Sequence, residues 1–238
     1  MSAITEDGFL NSRLKLRQPR HGFRAGLDAV MLAAAVPAGT DDRCLELGAG
    51  VGTASLCLAA RAGCRVTGIE IDAELTELAN QNATLNAMAD RVSFECADAL
   101  TARGGAFDHV FCNPPFHGSE GQTSPNAQKA RALQDEGTLK DWVRSGVEHI
   151  ASKGSFTTII RADRLDEVLA ALPAQGVYIF PLLPRAAEPP KRVIVQWHEG
   201  GTGQPTRLPG LILHQASGRY TPEADAILRD AAPLRITP

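Results

Sequence analysis

Nowhere in the 238 residues do about 18 apolar residues run without interruption, so no membrane span is expected. The opening stretch, MSAITEDGFLNSRLKLRQ, lacks an apolar core, which argues against a secretory signal and for a cytoplasmic location. Cysteine is scarce and scattered. Cys44, Cys57, Cys64, Cys96 and Cys112 are odd in number and form no CxxC pair, so neither a metal site nor a disulfide framework is expected. Positive charge is not in excess either: 24 Lys and Arg face 27 Asp and Glu, a net charge of −3, which excludes a chain that binds nucleic acid through bulk charge. No internal repeat or low-complexity tract interrupts a composition that is 44% hydrophobic and 21% charged. That composition and length suit one globular domain over residues 1–238, with a basic N-terminal arm at 1–26 and a substrate loop at 114–137.

What is present is an alternation of two periodicities. GLDAVMLAAAVP reads as a short helix from Leu27 to Val36, ended by Pro37. RCLELGA, RVTGIEI, VSFECAD and FDHVFCN are strand-like. VGTASLCLAARAG reads as a helix stopped at Gly63, and DAELTELANQNATLNAM as a helix capped by Asp72. Beyond a polar stretch rich in Gly, Ser, Pro and Gln, LKDWVRSGVEHIA is a helix expected to stop near Gly154, and SFTTIIR a strand. ADRLDEVLAAL is a helix; VYIFPLLP and RVIVQWHEG are two strands with no helix between them, hence antiparallel. The tail adds a short strand, GLILH, and a helix after Thr221-Pro222. The fold expected is α/β, a Rossmann-like doubly wound sheet of seven strands, mostly parallel with one antiparallel strand near the C-terminus.

Such sheets bind ligands beyond the carboxyl ends of their strands. Four stretches fall there: Gly48 to Gly52, Glu70 to Asp72 with Ile71 between, Asp98-Ala99, and Asn113 to Phe116. In ELGAGVGTA the glycines Gly48, Gly50 and Gly52 allow a tight turn and close approach of a ligand to backbone, although Thr53 breaks the longer dinucleotide fingerprint. Glu70 lies about twenty residues on, where a carboxylate meets ribose hydroxyls; its structural alternative is to help Asp72 cap the next helix. The short glycine spacing and the acidic Glu46 favour a ligand with positive charge and no phosphate, which S-adenosylmethionine is; NAD fits less well. Asp98 is placed to accept from the adenine amine.

The turn FCNPPF carries the chemistry. Two prolines remove backbone donors and fix the chain direction, so the Pro114 carbonyl and the Asn113 side-chain oxygen converge on one spot. Two acceptors suit a planar NH2 group, and Phe116 can stack on the ring that bears it, a contact worth roughly 1–3 kcal/mol. An isolated Asn-Pro-Pro is an ordinary turn; after a strand, beside two cofactor signals, it reads as the catalytic set Asn113, Pro114, Pro115 and Phe116.

With these residues in hand, LELGAGVG, GIEID, ADA and NPPF together resemble the amino-methylating branch of the class I S-adenosylmethionine-dependent methyltransferases. GFRAGLDAVMLAA, AAEPPKRVIVQW and LILHQASGRYTPEADAIL extend the resemblance to the bacterial tRNA(Val) N6-adenine methyltransferase family, from about Arg13 to Leu228. The resemblance implies N6-methylation of the adenine 3′ of the anticodon. It implies a cofactor shell of Asp28, Glu46, Gly48, Gly50, Gly52, Glu70, Ile71, Asp98, Ala99 and Asn113, and no metal. The C-terminal region departs from the family's basic character through Glu188, Glu199 and Glu223. An anticodon loop offers unpaired bases, as such a pocket demands. Arg20, Arg24, Arg131, Lys191 and Arg192 are the cations expected to meet RNA phosphates, the first two within a run from Arg13 to Arg24 that equally suits a solvated face. Competing readings are a protein glutamine N5-methyltransferase, another RNA or DNA exocyclic-amine methyltransferase, a cofactor-binding protein without transfer, and an NAD oxidoreductase.

Overall fold

The structure is a computed structural model that describes residues 4–21, 24–102, 104–115 and 138–237. Phe23, Phe116, His117, Lys129 and Arg131 therefore lie outside the described residues, as does nearly all of the expected substrate loop. Strands β1 (Ile4–Phe9) and β2 (Leu14–Pro19) come first, then helix α1 (Leu27–Ala35). The alternating core follows: β3 (Arg43–Leu47), α2 (Thr53–Ala62), β4 (Arg65–Glu70), α3 (Ala73–Leu85), β5 (Val92–Cys96) and β6 (Phe107–Cys112). Next are α4 (Leu139–Glu148), β7 (Ile150–Arg161), a 3-10 turn at Ala162–Arg164, α5 (Leu165–Leu169), β8 (Val177–Leu183) and β9 (Arg192–His198). Two short strands, β10 (Thr206–Arg207) and β11 (Leu211–Ile212), and helix α6 (Pro222–Asp230) close the chain.

The central sheet runs β5-β4-β3-β6-β7-β9-β8, parallel throughout except for β9, which is antiparallel to both its neighbours. The seven expected strands, one of them antiparallel, are all present; β10 and β11 add two-residue pairings along the outer edge of β8, which makes nine strands in this sheet among the described residues. Both faces are covered, because side chains alternate along each strand. Phe111 and Ile159 pack beneath α1, α2 and α3, whereas Val110, Cys112 and Ile160 pack beneath α4 and α5.

Helix α3 shows why composition alone misjudges local structure. Asparagine costs a helix up to about 0.7 kcal/mol per residue relative to alanine, yet Asn80, Asn82 and Asn86 all lie in or at the end of this one. Each uses its amide as a surrogate strand. Asn80 accepts from Phe94 N (3.0 Å) and donates to Phe94 O (2.9 Å), which covers the exposed edge of β5. Asn82 does the same for Arg17 (2.8 and 3.0 Å), and Asn86 for Lys15 (2.9 and 2.8 Å). Six hydrogen bonds at roughly 0.5–1.5 kcal/mol each exceed the propensity cost.

Several local expectations change. The basic arm is a β-hairpin, with Leu14 and Leu16 buried against the core. The strand expected at SFTTIIR begins earlier, at Ile150, and Gly154 lies within it, where a register shift against β6 follows Phe107. The helix at ADRLDEVLAAL shortens to a 3-10 turn and Leu165–Leu169. Four cysteines are buried and Cys96 is exposed; all are free thiols, with Cys44 and Cys64 in contact at 3.8 Å. No helix among the described residues is long and apolar enough to cross a membrane.

Candidate functional site

The sheet register assembles the site. Leu47 of β3 pairs with Ile69 of β4 on one side and with Cys112 of β6 on the other. The residues that follow these three, Gly48, Glu70 and Asn113, therefore leave the sheet at one level. Neighbouring strands lie about 4.8 Å apart, so Glu70 and Asn113 stand about 10 Å apart with the glycine loop between them. Sequence positions 48, 70 and 113 become one row only through this pairing.

The loop from Gly48 to Gly52 is held almost wholly by its backbone. Its three glycines adopt left-handed φ values of 71°, 56° and 83°. Gly48 N and Ala49 N both donate to Ile69 O (2.9 Å each), and Gly52 N donates to Ala49 O (2.9 Å). Gly50 N donates to Glu70 Oε2 (2.7 Å). Beneath the loop, a Cβ on Gly52 would strike the Phe94 ring, and one on Gly48 would lie 2.8 Å from the Trp142 ring. A Cβ on Gly50 would meet nothing within 4 Å. The loop thus rests on two aromatic rings and opens only at Gly50, which leaves room there for a ligand against bare backbone.

Glu70 is only 9% exposed, and its structural alternative is the one visible: it braces Asp72 and the glycine loop. Oε2 fixes Gly50 N, and Oε1 accepts from Asp72 N (3.0 Å), while Asp72 itself caps α3 through Glu74 N and Leu75 N. A carboxylate offers about four acceptor positions; one protein donor on each oxygen leaves the second position of each for hydroxyls. Ile71 follows with its side chain 64% exposed, an apolar surface at the site's edge. Asp98, half-buried, organises the turn after β5 by accepting from Leu100 N (2.9 Å) and Thr101 Oγ1 (3.1 Å). Buried Ala99 accepts from Ser145 Oγ of α4 (2.6 Å), which ties that turn to the helix beneath the glycine loop.

Glu46 lies deeper than its neighbours. It is 3% exposed, and its Oε2 accepts from both the backbone N (3.0 Å) and the hydroxyl of Ser55 in α2. Burial pushes its carboxyl up to about 8, partly opposed by the two Ser55 hydrogen bonds. Its contact is therefore with the start of α2. Asp28, in the first turn of α1, accepts from Arg192 Nε (2.8 Å) across the mouth of the sheet.

Asn113 differs from all of these. Its residue is half-buried, yet Oδ1 is out of solvent with no hydrogen-bond partner among the described residues. Thr53 Oγ1, at the start of α2, shares this condition. An acceptor buried without a donor costs roughly 1–3 kcal/mol, a deficit that a bound N–H group removes. Pro114 is buried and Pro115 half-buried, both joined by trans peptides. Gly50's open space, Glu70's spare acceptor positions, exposed Ile71 and the orphaned Asn113 Oδ1 fit a nucleoside with an adjoining amine-bearing substrate. Among the described residues, no group of three or more His, Cys, Asp or Glu side chains is placed to hold a metal ion.

The cations expected around the opening are mostly engaged locally. Arg24 pairs with Asp7 and donates to Thr5 Oγ1 (2.8 Å); Lys15 and Arg17 face Glu6; Arg185 pairs with Glu188. Arg20 and Lys191 are exposed, with no acidic partner among the described residues. A cavity of about 190 Å³, lined by Arg43, Arg65, Arg91 and Phe107 among others, lies at the amino ends of β3 to β5 and contains none of the site residues.

Residues that sequence reasoning passed over include Trp142 beneath Gly48, Ser55 on Glu46, and Asn82, whose Nδ2 donates to Val51 O inside the glycine loop (3.0 Å). Only the asparagine-rich run LANQNATLN carried a signal, and it is visible as a helix with unexpectedly many amides.

Comparison with known proteins shows the family of the chain. The family model described as methyltransferase small domain matches residues 26–163. A protein of Porphyromonas gingivalis named tRNA1(Val) (adenine(37)-N6)-methyltransferase is 31% identical over 235 residues, 91% of each chain. One of Aeromonas hydrophila with the same name is 25% identical over 221 residues, 90% of this chain and 92% of the relative. A crystal structure from Agrobacterium tumefaciens, described as a predicted O-methyltransferase, superposes with a TM-score of 0.74 at 27% identity, covering 87% of this chain and 98% of that one.

Proposed function

Since the chain belongs to the methyltransferase small domain family, we propose that it methylates N6 of an unpaired adenine in RNA, the tRNA(Val) adenine 3′ of the anticodon being the substrate. The single observation that carries this reading is Asn113 Oδ1, a buried acceptor without a donor in the same row as the cofactor carboxylate and glycine loop. A hydroxyl substrate offers one hydrogen; two neighbouring carbonyl acceptors, Asn113 Oδ1 and Pro114 O, suit the two hydrogens of an amine. The names of the relatives support this choice of nucleotide, and an RNA substrate of this kind fits a cytoplasmic protein.

S-adenosyl-L-methionine is the methyl donor, and when bound it supplies a methyl group activated by a sulfonium. In this reading Glu70 accepts from the ribose hydroxyls with the acceptor positions left over from Gly50 N and Asp72 N. Ile71 covers one face of the donor's adenine, and Asp98 accepts from that adenine's amine. Asn113 and Pro114 hold both hydrogens of the target amine. This bends the nitrogen out of conjugation and concentrates its lone pair, which is otherwise delocalised into the ring. Phe116 stacks on the target base. The amine becomes much more acidic as it is alkylated, so its proton passes from these carbonyl acceptors to solvent without a strong base. Alignment and fixed dipoles supply most of the acceleration. Arg20 and Lys191 are the cations best placed to meet phosphates, with Arg24, Arg131 and Arg192 as further contacts.

The reading is tested with tritium-labelled methyl donor and total transfer RNA, followed by fragment mapping. Label is expected as N6-methyladenine in one valine tRNA fragment. Label on a release-factor glutamine instead, with none on RNA, establishes the glutamine-methylating alternative, whose carboxamide the same two acceptors also suit.

A further inference from the structure

A glycine loop has no side chains with which to lock itself, so its shape rests on what its amides and carbonyls bond to. Four amides of this loop are held from within the β3–β4 region, through Ile69 O, Glu70 Oε2 and Ala49 O. The Val51 carbonyl, between Gly50 and Gly52, is held from elsewhere, by Nδ2 of Asn82 at 3.0 Å. Asn82 is fully buried, and the same amide also donates to Arg17 O (3.0 Å) and accepts from Arg17 N (2.8 Å) in strand β2. One side chain therefore joins the cofactor loop to the N-terminal hairpin.

We infer that Asn82 is a positioning residue for S-adenosylmethionine, fixing the Val51 carbonyl and thereby coupling the order of the glycine loop to the docking of the β1–β2 hairpin. The geometry contains its own control. Asn86, one turn further along α3, makes the same pair of backbone hydrogen bonds to Lys15 and a third to Asn82 O (2.8 Å), but forms no hydrogen bond with the loop among the described residues. Removing Asn86 loosens the hairpin alone; removing Asn82 loosens the hairpin and frees the Val51 carbonyl. Coupling of this kind is reciprocal, so what the hairpin does for the cofactor, the cofactor does for the hairpin. The inference depends on the cofactor and not on the identity of the RNA, so its test stands even if the tRNA reading fails.

Calorimetric titration with S-adenosylhomocysteine, on the purified full chain, compares wild type, Asn82→Ala and Asn86→Ala. Asn82→Ala is expected to weaken binding by about tenfold or more, and Asn86→Ala by no more than about twofold. With total transfer RNA as acceptor, Asn82→Ala should raise KM for the donor while kcat at saturating donor stays within about threefold of wild type. A residue important only for folding would lower the active fraction, and with it kcat, and leave KM alone. Equal affinities for the two variants overturn the inference. A second measurement needs no variant: hydrogen exchange in wild type, where S-adenosylhomocysteine should slow exchange at the Arg17 amide that ends on Asn82. An Arg17 amide indifferent to the ligand overturns it equally.

Discussion

The glycine loop after β3 and the turn after β6 leave the sheet side by side, yet they are finished in opposite ways. In the loop, backbone amides end on Ile69 O, Glu70 and Ala49 O, the Val51 carbonyl ends on Asn82, and two aromatic rings support it from below. In the turn, the side-chain oxygen of Asn113 is buried and bonded to nothing among the described residues. On the proposed reading the glycine loop is the cofactor side, with its amides at 48, 49, 50 and 52 and its Val51 carbonyl already bonded within the protein. On the same reading the turn is the substrate side, and its buried acceptor has no donor among the described residues. A deficit placed at the reacting nitrogen, as proposed, would direct binding energy to the atom whose electrons must move.

The comparison breaks most sharply at Asn113. Asn113→Ala should lower kcat by about 10²–10³-fold, the scale of losing a preorganised dipole at a reacting group, while S-adenosylhomocysteine affinity by calorimetry stays near wild type. A variant with wild-type turnover removes the proposed chemistry. Glu70→Ala should show the mirror image. It removes the carboxylate proposed to face the ribose, which also anchors Gly50 N and Asp72 N, so cofactor affinity should fall by about 10–100-fold. An unchanged Kd would mean that Glu70 only braces Gly50 and Asp72.

A smaller effect sharpens the comparison through pH. Glu46 holds its proton up to about 8 in the folded chain, against an ordinary 4.5, because burial disfavours its charge. The folded state therefore binds more protons than the unfolded one between these values, and this contribution to stability is full below about 4.5 and lost as pH rises through about 8. Thermal unfolding of the ligand-free protein should show Glu46→Gln less sensitive to pH than wild type across about pH 5 to 9, the two curves diverging by on the order of a few kcal/mol. Parallel curves would show that Glu46 does not titrate there. The smallest effect is expected at the hairpin surface. Arg24→Ala breaks a partly exposed pair with Asp7, and a stability change within about 1 kcal/mol by denaturant titration is the expectation.

Much of this architecture was legible in the sequence where local rules act alone. Asp72 caps α3 as its position implied, Gly63 ends α2 in the left-handed conformation, and α1 stops before Pro37. The strand–helix rhythm implied the parallel sheet, and the unbroken pair of late strands implied the antiparallel β9. The basic stretch from Arg13 to Arg24 was harder to read. Its charges looked available because their partners, Glu6 and Asp7, lie in another strand: the hairpin register brings Glu6 opposite Arg17, and the chain after β2 returns Arg24 to Asp7. Asn82 reads as a poor helix residue until β2 and the glycine loop are packed against it. Trp142 reads as core, which it is, but nothing about its neighbours in the chain says that it lies under Gly48.

By itself, then, the sequence determined most of the elements from α1 onward, their order, and which of their ends carry glycine, carboxylate and amide, because capping, periodicity and proline geometry are properties of a few adjacent residues. The tertiary structure alone decided that Gly48, Glu70 and Asn113 share one level, that Glu46 is buried against Ser55, and that Asn82 joins hairpin to loop. Those facts depend on strand register and helix packing, where residues tens of positions apart meet, and the energy of each contact exists only once both partners have arrived.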